Sequence, residues 1–587
     1  MKLTKSEYMQ GRTCTTKIAH ARAQMPKRTD KDPFYTELAS IGAIVHWLAP
    51  FVAGGAKYGY SLDDVLRHGY GTYAEVEAES AARYARIDIL SYRASTMTIM
   101  EVKSEKLPMS TVTGEPLHCL TDSGEIHHKW RDLIDDLTFQ YLVVLEQLVA
   151  SGIDMSSGEI ELRADLILMN PQYDSTKNDL RHQFDVDPES QRVTYHGNLD
   201  ELVNAGILIL MDVTDIVQKC TLQRVYTESN RMIAELAASQ RPTLTKSCAS
   251  CEYRVKASID TDTGFNRCWG ELAVQTPFVL DLAEVGRLKA IDEIDAITAI
   301  TNTGSARMTD LPLDILWSGY NNRQHRQIIS AATSSALIDS ALREVLQYHA
   351  YPRVCIDVEA FASAFPYWES TRPYEITTFQ WSAHTIKDAS FTMDHAEWLH
   401  ESTEHPCVAF LTSLHDALNH AATIYTWSPY ERTAVSTARS IANRLGILSD
   451  ELNAWVDWFI DRKNPQIVDM LALARLYYMH PALKGSHSIK SVLPTIWNTD
   501  QEVRGLFPEY IKMRNGELLS PYATLPRLDA IGNLSDVADG TTAISAYAAL
   551  VHPTRLSEPE RNQVRTSLLE YCKLDTAAMV MIMKGWM

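Results

Sequence analysis

Two groups of acids in this sequence are spaced as metal-assisted chemistry requires. In "TIMEVKSEK", Glu101 and Lys103 flank one apolar residue at the end of a β run. Alternate residues of a strand share a face, so this carboxylate and ammonium point the same way and Val102 points into the opposite layer. Asp88 in "RIDIL" adds a carboxylate from the preceding strand of a hairpin. Two carboxylates on adjacent strands chelate Mg²⁺ or Mn²⁺ through oxygen. A neighbouring Lys then orients the attacking water and steadies developing phosphate charge, which suits phosphodiester hydrolysis. His46 in "IGAIVHWLA", Glu77 in "YAEVEAES" and Gln140-Tyr141 in an apolar helix lie around this group in the chain. The bare pattern also describes a solvated strand end, and a His in an apolar helix is also an ordinary core residue.

The second group repeats the device. "VCIDVEAF" puts Asp357 and Glu359 on one face of a strand, and "LLEYCKLDTAAMV" puts Tyr571 and Asp575 four apart on one face of a helix. Between them stand Glu431 in "TWSPYERTAV", Asp469 in "IVDMLALARLYY" and His487 in "KGSHSIKSVLP", the last read as a helix-entry residue.

A third constellation is soft. "SCASCEYR…FNRCW" gives Cys248 and Cys251 as C-x2-C, then Cys268. Three clustered cysteines need a fourth soft ligand, and Cys14 is the candidate. Thiolates suit an iron–sulfur cluster or a structural zinc equally, and unligated core thiols are the plain alternative. Cys119, Cys220, Cys355, Cys407 and Cys572 stand singly and read as core.

The elements that must position these residues follow from pattern. "YARIDILSYRASTMTIMEVKSEK" reads as a two-stranded hairpin, "DDLTFQYLVVLEQLVASG" as a helix closed by Gly152, and "EIELRADLILMN" as a strand. "TDIVQKCTLQRVYTESNRMIAELAA" is helical. Residues 276–345 read as a helical linker with breakers at "TNTGS" and "DLPLD". The next segment begins with the strand "YPRVCIDVEAF". β runs follow at "CVAFL" and "TIYTW", and helices at "IVDMLALARLYYMH" and "RNQVRTSLLEYCKLDTAAMVMIM". This alternation predicts a multidomain α/β protein rather than a helical bundle.

The chain has 587 residues, 45% of them hydrophobic and 22% charged, so it is expected to be globular with more than one domain. No run approaches the roughly 18 apolar residues of a membrane span, and the N-terminus lacks the apolar core of a signal peptide. A cytoplasmic location is expected, where the nine cysteines would not form a disulfide framework. The net charge of −19 argues against nonspecific coating of nucleic acid but not against a nuclease, whose acids carry cations in use. Residues 1–28 are locally basic: Lys2, Lys5, Arg12, Lys17, Arg22, Lys27 and Arg28 stand against Glu7. That arm is either a solvated tail or an electrostatic approach for a DNA strand.

The order His46, Asp88, Glu101-x-Lys103, Gln140 resembles the RecB-like branch of the PD-(D/E)xK nucleases. The resemblance implies that His46, Asp88 and Glu101 bind metal, that Lys103 is catalytic and that Gln140 supports the site. A distant Cys14 joined to Cys248, Cys251 and Cys268 is similar to the iron–sulfur members of that branch, and implies a [4Fe-4S] cluster stapling the domain. Asp357-x-Glu359 and Tyr571-x3-Asp575 resemble the opening and closing motifs of DEDD exonucleases, the DnaQ-like branch of the RNase H-like fold. The resemblance implies metal ligands Asp357, Glu359, Glu431 and Asp575, and Tyr571 orienting the attacking water. The middle element departs from the family's Asn-x-x-Phe-Asp. Trp427 stands for the Asn and Tyr430-Glu431 for the Phe-Asp, and the longer Glu puts metal spacing or rate in question. Asp469 matches a supporting Asp of the family.

"FPYWESTRPYEITTFQWSAH", "LKGSHSIKSVLP" and "LLEYCKLDT" resemble an uncharacterised bacterial family that joins these two domains. Its aromatics would form a packed strand or stack a terminal base, worth about 1–3 kcal/mol per base. The expected layout is a RecB-like nuclease with its iron–sulfur staple over 1–275, a helical linker over 276–345 and a DnaQ-like exonuclease over 346–587. The expected activity is hydrolysis of single-stranded DNA and of DNA 3′ ends in processing, repair or defence. RNA is the alternative substrate, and a strand-holding protein with one inactive head the alternative role. No G-x4-G-K-[ST] is present, so duplex unwinding would need a helicase or other partner.

Overall fold

The computed structural model describes residues 2–28, 33–110, 114–176, 178–187, 189–238, 242–255, 262–402, 404–526, 540–551 and 556–587. It is a mixed α/β protein in two compact units. One unit comprises Met1–Lys27, Tyr35–Pro242 and Ser363–Tyr374; the other comprises Arg28–Phe34, Thr243–Ala362 and Glu375–Met587. Among the described residues, no helix is long and apolar enough to cross a membrane.

The first unit is built on strands β1 (Leu3–Thr4), β2 (Gly71–Glu79), β3 (Arg83–Arg93), β4 (Thr96–Lys106), β5 (Glu161–Met169) and β6 (Leu208–Asp212). They run in the order β1-β3-β4-β5-β6, with β2 also paired to β3. β2, β3 and β4 form an antiparallel meander, and β5 is parallel to β4. The expected hairpin is present. Its two-residue turn puts Ala94 in the left-handed region at φ 50°. Helices α1 (Lys5–Gly11), α2 (Pro33–Val52), α3 (His128–Ala150) and α4 (Leu222–Ala238) complete this frame.

The two sheet faces bury separate cores. Leu137 and Val143 of α3 pack with Val76, Ile87, Ile99 and Leu166. Ile44, Val45 and Leu48 of α2 pack with Ile89, Met100, Val102 and Ile167. Val102 therefore faces away from α3, as the strand period requires. The alternation breaks in one place: Ile87 faces the α3 core and Ile89 the α2 core. Between the pairs Ala74↔Ile89 and Val76↔Ile87 lie Glu75 and Asp88, and Glu75 takes a left-handed φ of 56°. A local kink in both strands thus turns two acids out of the regular pleat.

The second unit carries strands β7 (Arg353–Phe361), β8 (Thr377–Ile386), β9 (Met393–Leu399), β10 (Thr423–Thr426) and β11 (Ile467–Asp469). The sheet order is β9-β8-β7-β10-β11, with β7, β8 and β9 antiparallel and β7, β10 and β11 parallel. Its helices include α5 (Cys407–Leu418), α6 (Tyr430–Arg444), α7 (Met470–Tyr477), α8 (Ile489–Trp497) and α9 (Glu558–Trp586). Val354, Ile356 and Val358 point to α5 and α6, whereas Cys355 packs with Leu574, Ala577 and Ala578 of α9. By the same alternation Asp357 and Glu359 point toward α9.

Several expectations are corrected. "CVAFL" is helical, the start of α5, because its buried Cys407, Phe410, Leu411, Leu414 and Leu418 follow a helical period. "IVD" forms a short strand before the helix that follows it. Residues 276–345 are helical as expected, in short turns and in helices such as Gly319–Thr333 and Ser340–Tyr348, but they also build a core, in which Phe278, Ile297, Met308 and Ile315 pack with Phe265 and Trp269. The aromatics Tyr367, Trp368, Phe379 and Trp381 are buried, so they are core side chains without a free face for a base. The basic arm is folded rather than a tail. Lys2 pairs with Glu79, Lys5 with Glu101, Arg12 with Asp132 and Asp135, and Arg22 with Glu7. Cys220 is exposed, not core, on a wider helical turn between Val217 and Thr221.

Candidate metal centres

The first centre lies at the β2–β3 kink. One donor atom from each of His46, Glu75 and Asp88 lies within 4.8 Å of the other two. α2 supplies His46, and the irregular strand pair supplies the acids. The acid the kink selects is Glu75; Glu77, singled out by the sequence, is exposed. Asp88 Oδ2 accepts a hydrogen bond from the Val102 amide over 2.9 Å, which ties it to the strand bearing Glu101.

Glu101 is 1% exposed and lies on the α3 side of the sheet. Gln140 Nε2 of α3 donates to its Oε2 over 2.5 Å. Lys103 Nζ lies 2.8 Å from its Oε1 and also bonds Asp136. Lys5 Nζ donates to both carboxylate oxygens over 3.0 and 3.3 Å. Asp136 and Lys5 were not anticipated. Asp136 stands four residues before Gln140, so helical spacing could have found it; Lys5 carries no sequence signal.

Charge is divided within this centre. Burial raises the Asp88 carboxyl well above its ordinary range, and Glu101 adds to the rise. Burial would raise Glu101 too, but Lys103 and Lys5 outweigh it and hold Glu101 well below its ordinary value. Burial opposes charge on Lys103, yet Glu101 and Asp136 raise it. Although His46 is exposed, partial desolvation lowers it, favouring the neutral imidazole that ligates metal.

The second centre lies at the end of β7. Donor atoms of Asp357, Glu359 and Asp575 converge within 4.8 Å of one another. Cys572, one helical turn before Asp575's neighbours, donates its thiol hydrogen to Asp357 Oδ2 over 3.3 Å. Read as core from sequence, it is buried but also orients an acid. Tyr522 donates to Asp575 Oδ1, and Lys490 Nζ donates to the Tyr571 phenol oxygen over 3.3 Å. Neither Tyr522 nor Lys490 stands out in the sequence.

Glu431, at the start of α6, is buried but outside the converging three. Its Oε2 is buried with no hydrogen-bond partner among the described residues. Trp427 packs against the α9 core. Asp469 caps α7, accepting from the Ala472 amide over 3.0 Å. His487 exchanges hydrogen bonds with Arg323 and the Tyr478 carbonyl just before α8, a structural role.

Burial pushes Asp357 up to about 7, with Asp575 adding to the rise. Burial also raises Glu359 and Glu431 well above their ordinary range, each with Asp357 as the next cause. Burial raises Asp575 against the Tyr522 hydrogen bond and Lys490. Acids packed this closely ionise together only with a cation among them. The donors are hard oxygens, with one imidazole in the first centre, so both sets fit Mg²⁺ or Mn²⁺.

Cys248 and Cys251 share one short helical turn, with the Cys251 amide donating to the Cys248 carbonyl over 3.3 Å. Cys268 lies on a short helix over Gly264–Trp269, and both Cys248 and Cys268 pack against the Phe265–Trp269 core. Those three belong to the second unit and Cys14 to the first.

A family model described as a domain of unknown function, DUF2779, matches residues 354–488. That stretch includes Asp357, Glu359, Glu431 and Asp469 and stops short of Tyr571 and Asp575. No curated protein and no solved structure matches the chain.

Proposed function

We propose that this chain is a two-headed, divalent-metal-dependent nuclease acting on single-stranded DNA. The first unit would cut or trim the strand, and the second would remove nucleotides from a 3′ end. The carrying observation is the convergence of Asp357, Glu359 and Asp575 from two separate elements into one acid-rich cluster, with Asp575 buried and the other two half-buried. Structural ion pairs balance acids with bases; here acids are gathered against one another, at a cost that a bound cation offsets.

The architecture supports the reading. The succession of helix α2, the β2–β4 meander, α3 and β5 supports the PD-(D/E)xK part of the reading. The β9-β8-β7-β10-β11 order, three antiparallel strands joined to two parallel ones, supports the RNase H-like part of this reading.

A divalent ion held at each centre would activate water and neutralise charge building on the phosphate. In the first unit His46, Glu75, Asp88 and Glu101 would hold it. Lys103 would steady the phosphate, and Gln140 fixes the Glu101 rotamer. In the second unit Asp357, Glu359 and Asp575 would hold it, and Tyr571, four residues before Asp575, would orient the attacking water. Cys248, Cys251 and Cys268 would supply thiolates to a [4Fe-4S] cluster or a structural zinc. Anaerobically purified protein with a broad visible absorption supports the cluster, and a colourless zinc protein opposes it.

Glu431 lies outside the converging acids, which favours one second reading: that the second unit grips a strand without cutting it. Digestion of 5′-labelled single-stranded DNA and RNA with Mn²⁺ separates these readings. A ladder shortening from the 3′ end, lost in Asp357→Asn, supports an active second head. Strand binding with no such ladder supports the gripping reading, and the DNA and RNA lanes report the substrate.

A further inference from the structure

We propose that Lys5 is a tethered cation that holds the divalent-ion position at Glu101 and must leave it for the ion to bind. The inference rests on the reading of the first unit as a metal centre. Lys5 is the first residue of α1, whose N-terminus is closed by a capping box between Thr4 and Glu7. The helix dipole disfavours a cation there, so local helix energetics give no reason for a lysine. The side chain turns inward instead.

Its ammonium contacts both oxygens of Glu101, at 3.0 and 3.3 Å, as a chelated ion would. It also lies 3.7 Å from Asp136 and 4.0 Å from Asp88. Three carboxylates therefore surround one Nζ. Asp88 belongs at once to this set and to the His46–Glu75–Asp88 group. An ion at Asp88 that also used Glu101 would need the position of the Lys5 ammonium and would be repelled by it. Lys103 differs, because it is held closely by Asp136 and, among the described residues, forms no ion pair with Asp88. The Lys5 side chain keeps 22% of its surface exposed, against 1% for Glu101, so it has a route to solvent. Metal-free, the site keeps its charge balanced; metal-bound, the ammonium is released at the mouth of the centre, where a phosphate would approach.

The test uses the full chain carrying Asp357→Asn and Glu359→Gln, so that Mn²⁺ reports on the first centre. Lys5 acylation by an amine-reactive reagent is measured by mass spectrometry with and without saturating Mn²⁺. Mn²⁺ affinity is measured with Lys5 and with Lys5→Gln. The proposal requires two results. Mn²⁺ must raise Lys5 labelling several-fold, and Lys5→Gln must bind Mn²⁺ about tenfold more tightly, the factor for one charge-assisted hydrogen bond no longer broken. Unchanged labelling overturns it even if the variant binds more tightly, because Lys5 would then act only as a nearby charge. Unchanged or weaker affinity overturns it as well. The labelling stands alone if Lys5→Gln fails to fold. If Asp88→Asn removes no Mn²⁺ binding, the metal-centre reading fails, and the proposal with it.

Discussion

Lys490 donates a hydrogen bond to the phenol oxygen of Tyr571 and stands over that ring, 5.0 Å from its centroid. The same ammonium lies 5.3 Å from the ring centroid of Tyr522, which itself bonds Asp575. A cation and two phenols thus form the wall of the second centre opposite β7. Tyr571→Phe removes the hydroxyl and keeps the packing. It is expected to slow 3′-end removal roughly a hundredfold, the low end for a positioned acid–base group. Mn²⁺ affinity at the second centre should stay within a factor of two or so. A matching loss of ion binding would show that the phenol serves the ligands and not the water.

Asp357→Asn should abolish 3′-end removal and yet stabilise the metal-free protein. Asp357 is half-buried and faces Glu359, Asp575 and Glu431, so neutralising it relieves like-charge repulsion without opening a cavity. A gain of about 1–2 kcal/mol is expected from partial relief of a buried charge, read as a raised urea midpoint in chelator-treated protein. Saturating Mg²⁺ should reverse the order by stabilising only the parent chain. A variant less stable than the parent without metal contradicts the crowded-acid account of this pocket.

Glu101→Gln should have the opposite effect on stability. Glu101 is the acid that balances Lys5 and Lys103, so its loss leaves two partly buried ammonium groups short of a partner. A loss of about 2–3 kcal/mol is expected for breaking a mostly buried pair, measured by urea unfolding of metal-free protein. An unchanged midpoint would mean that the lysines find solvent at no cost.

His487 sets a pH dependence. It is 3% exposed, and burial followed by Arg323 lowers it to about 4. A depressed histidine favours the folded state above its unfolded value near 6.5 and loses that contribution as pH falls toward 4. Parent minus His487→Asn stability should therefore shrink as pH drops from about 7.5 to 4.5. The difference cancels the acids of the metal pocket, which titrate in the opposite sense. A difference independent of pH would mean that His487 is not held neutral.

The candidate ligands are more legible in the sequence than their surroundings. Glu101 and Lys103 were readable because a strand repeats every two residues, and Asp88 because it lies on the neighbouring strand of the hairpin. Asp357 and Glu359 follow the same rule, and Tyr571 and Asp575 the helical one. Glu75 escapes a sequence reading because the kink that turns it toward the centre, at φ 56°, is invisible to a strand period. "CVAFL" was misread because a short apolar run carries no period of its own; the stripe emerges only when Leu414 and Leu418 are counted. Lys5, Lys490 and Tyr522 reach their centres through tertiary packing, and no local spacing encodes that.

The most direct test of paired metal-dependent nuclease centres is cleavage of a 5′-labelled single strand in Mn²⁺. The comparison runs across the parent chain, Asp88→Asn, Asp357→Asn and the double variant. Each single variant should lose one class of product, the 3′-shortened ladder disappearing with Asp357→Asn, and the double variant should leave the strand intact. A double variant that still cuts as the parent does would contradict the assignment of either acid cluster to catalysis.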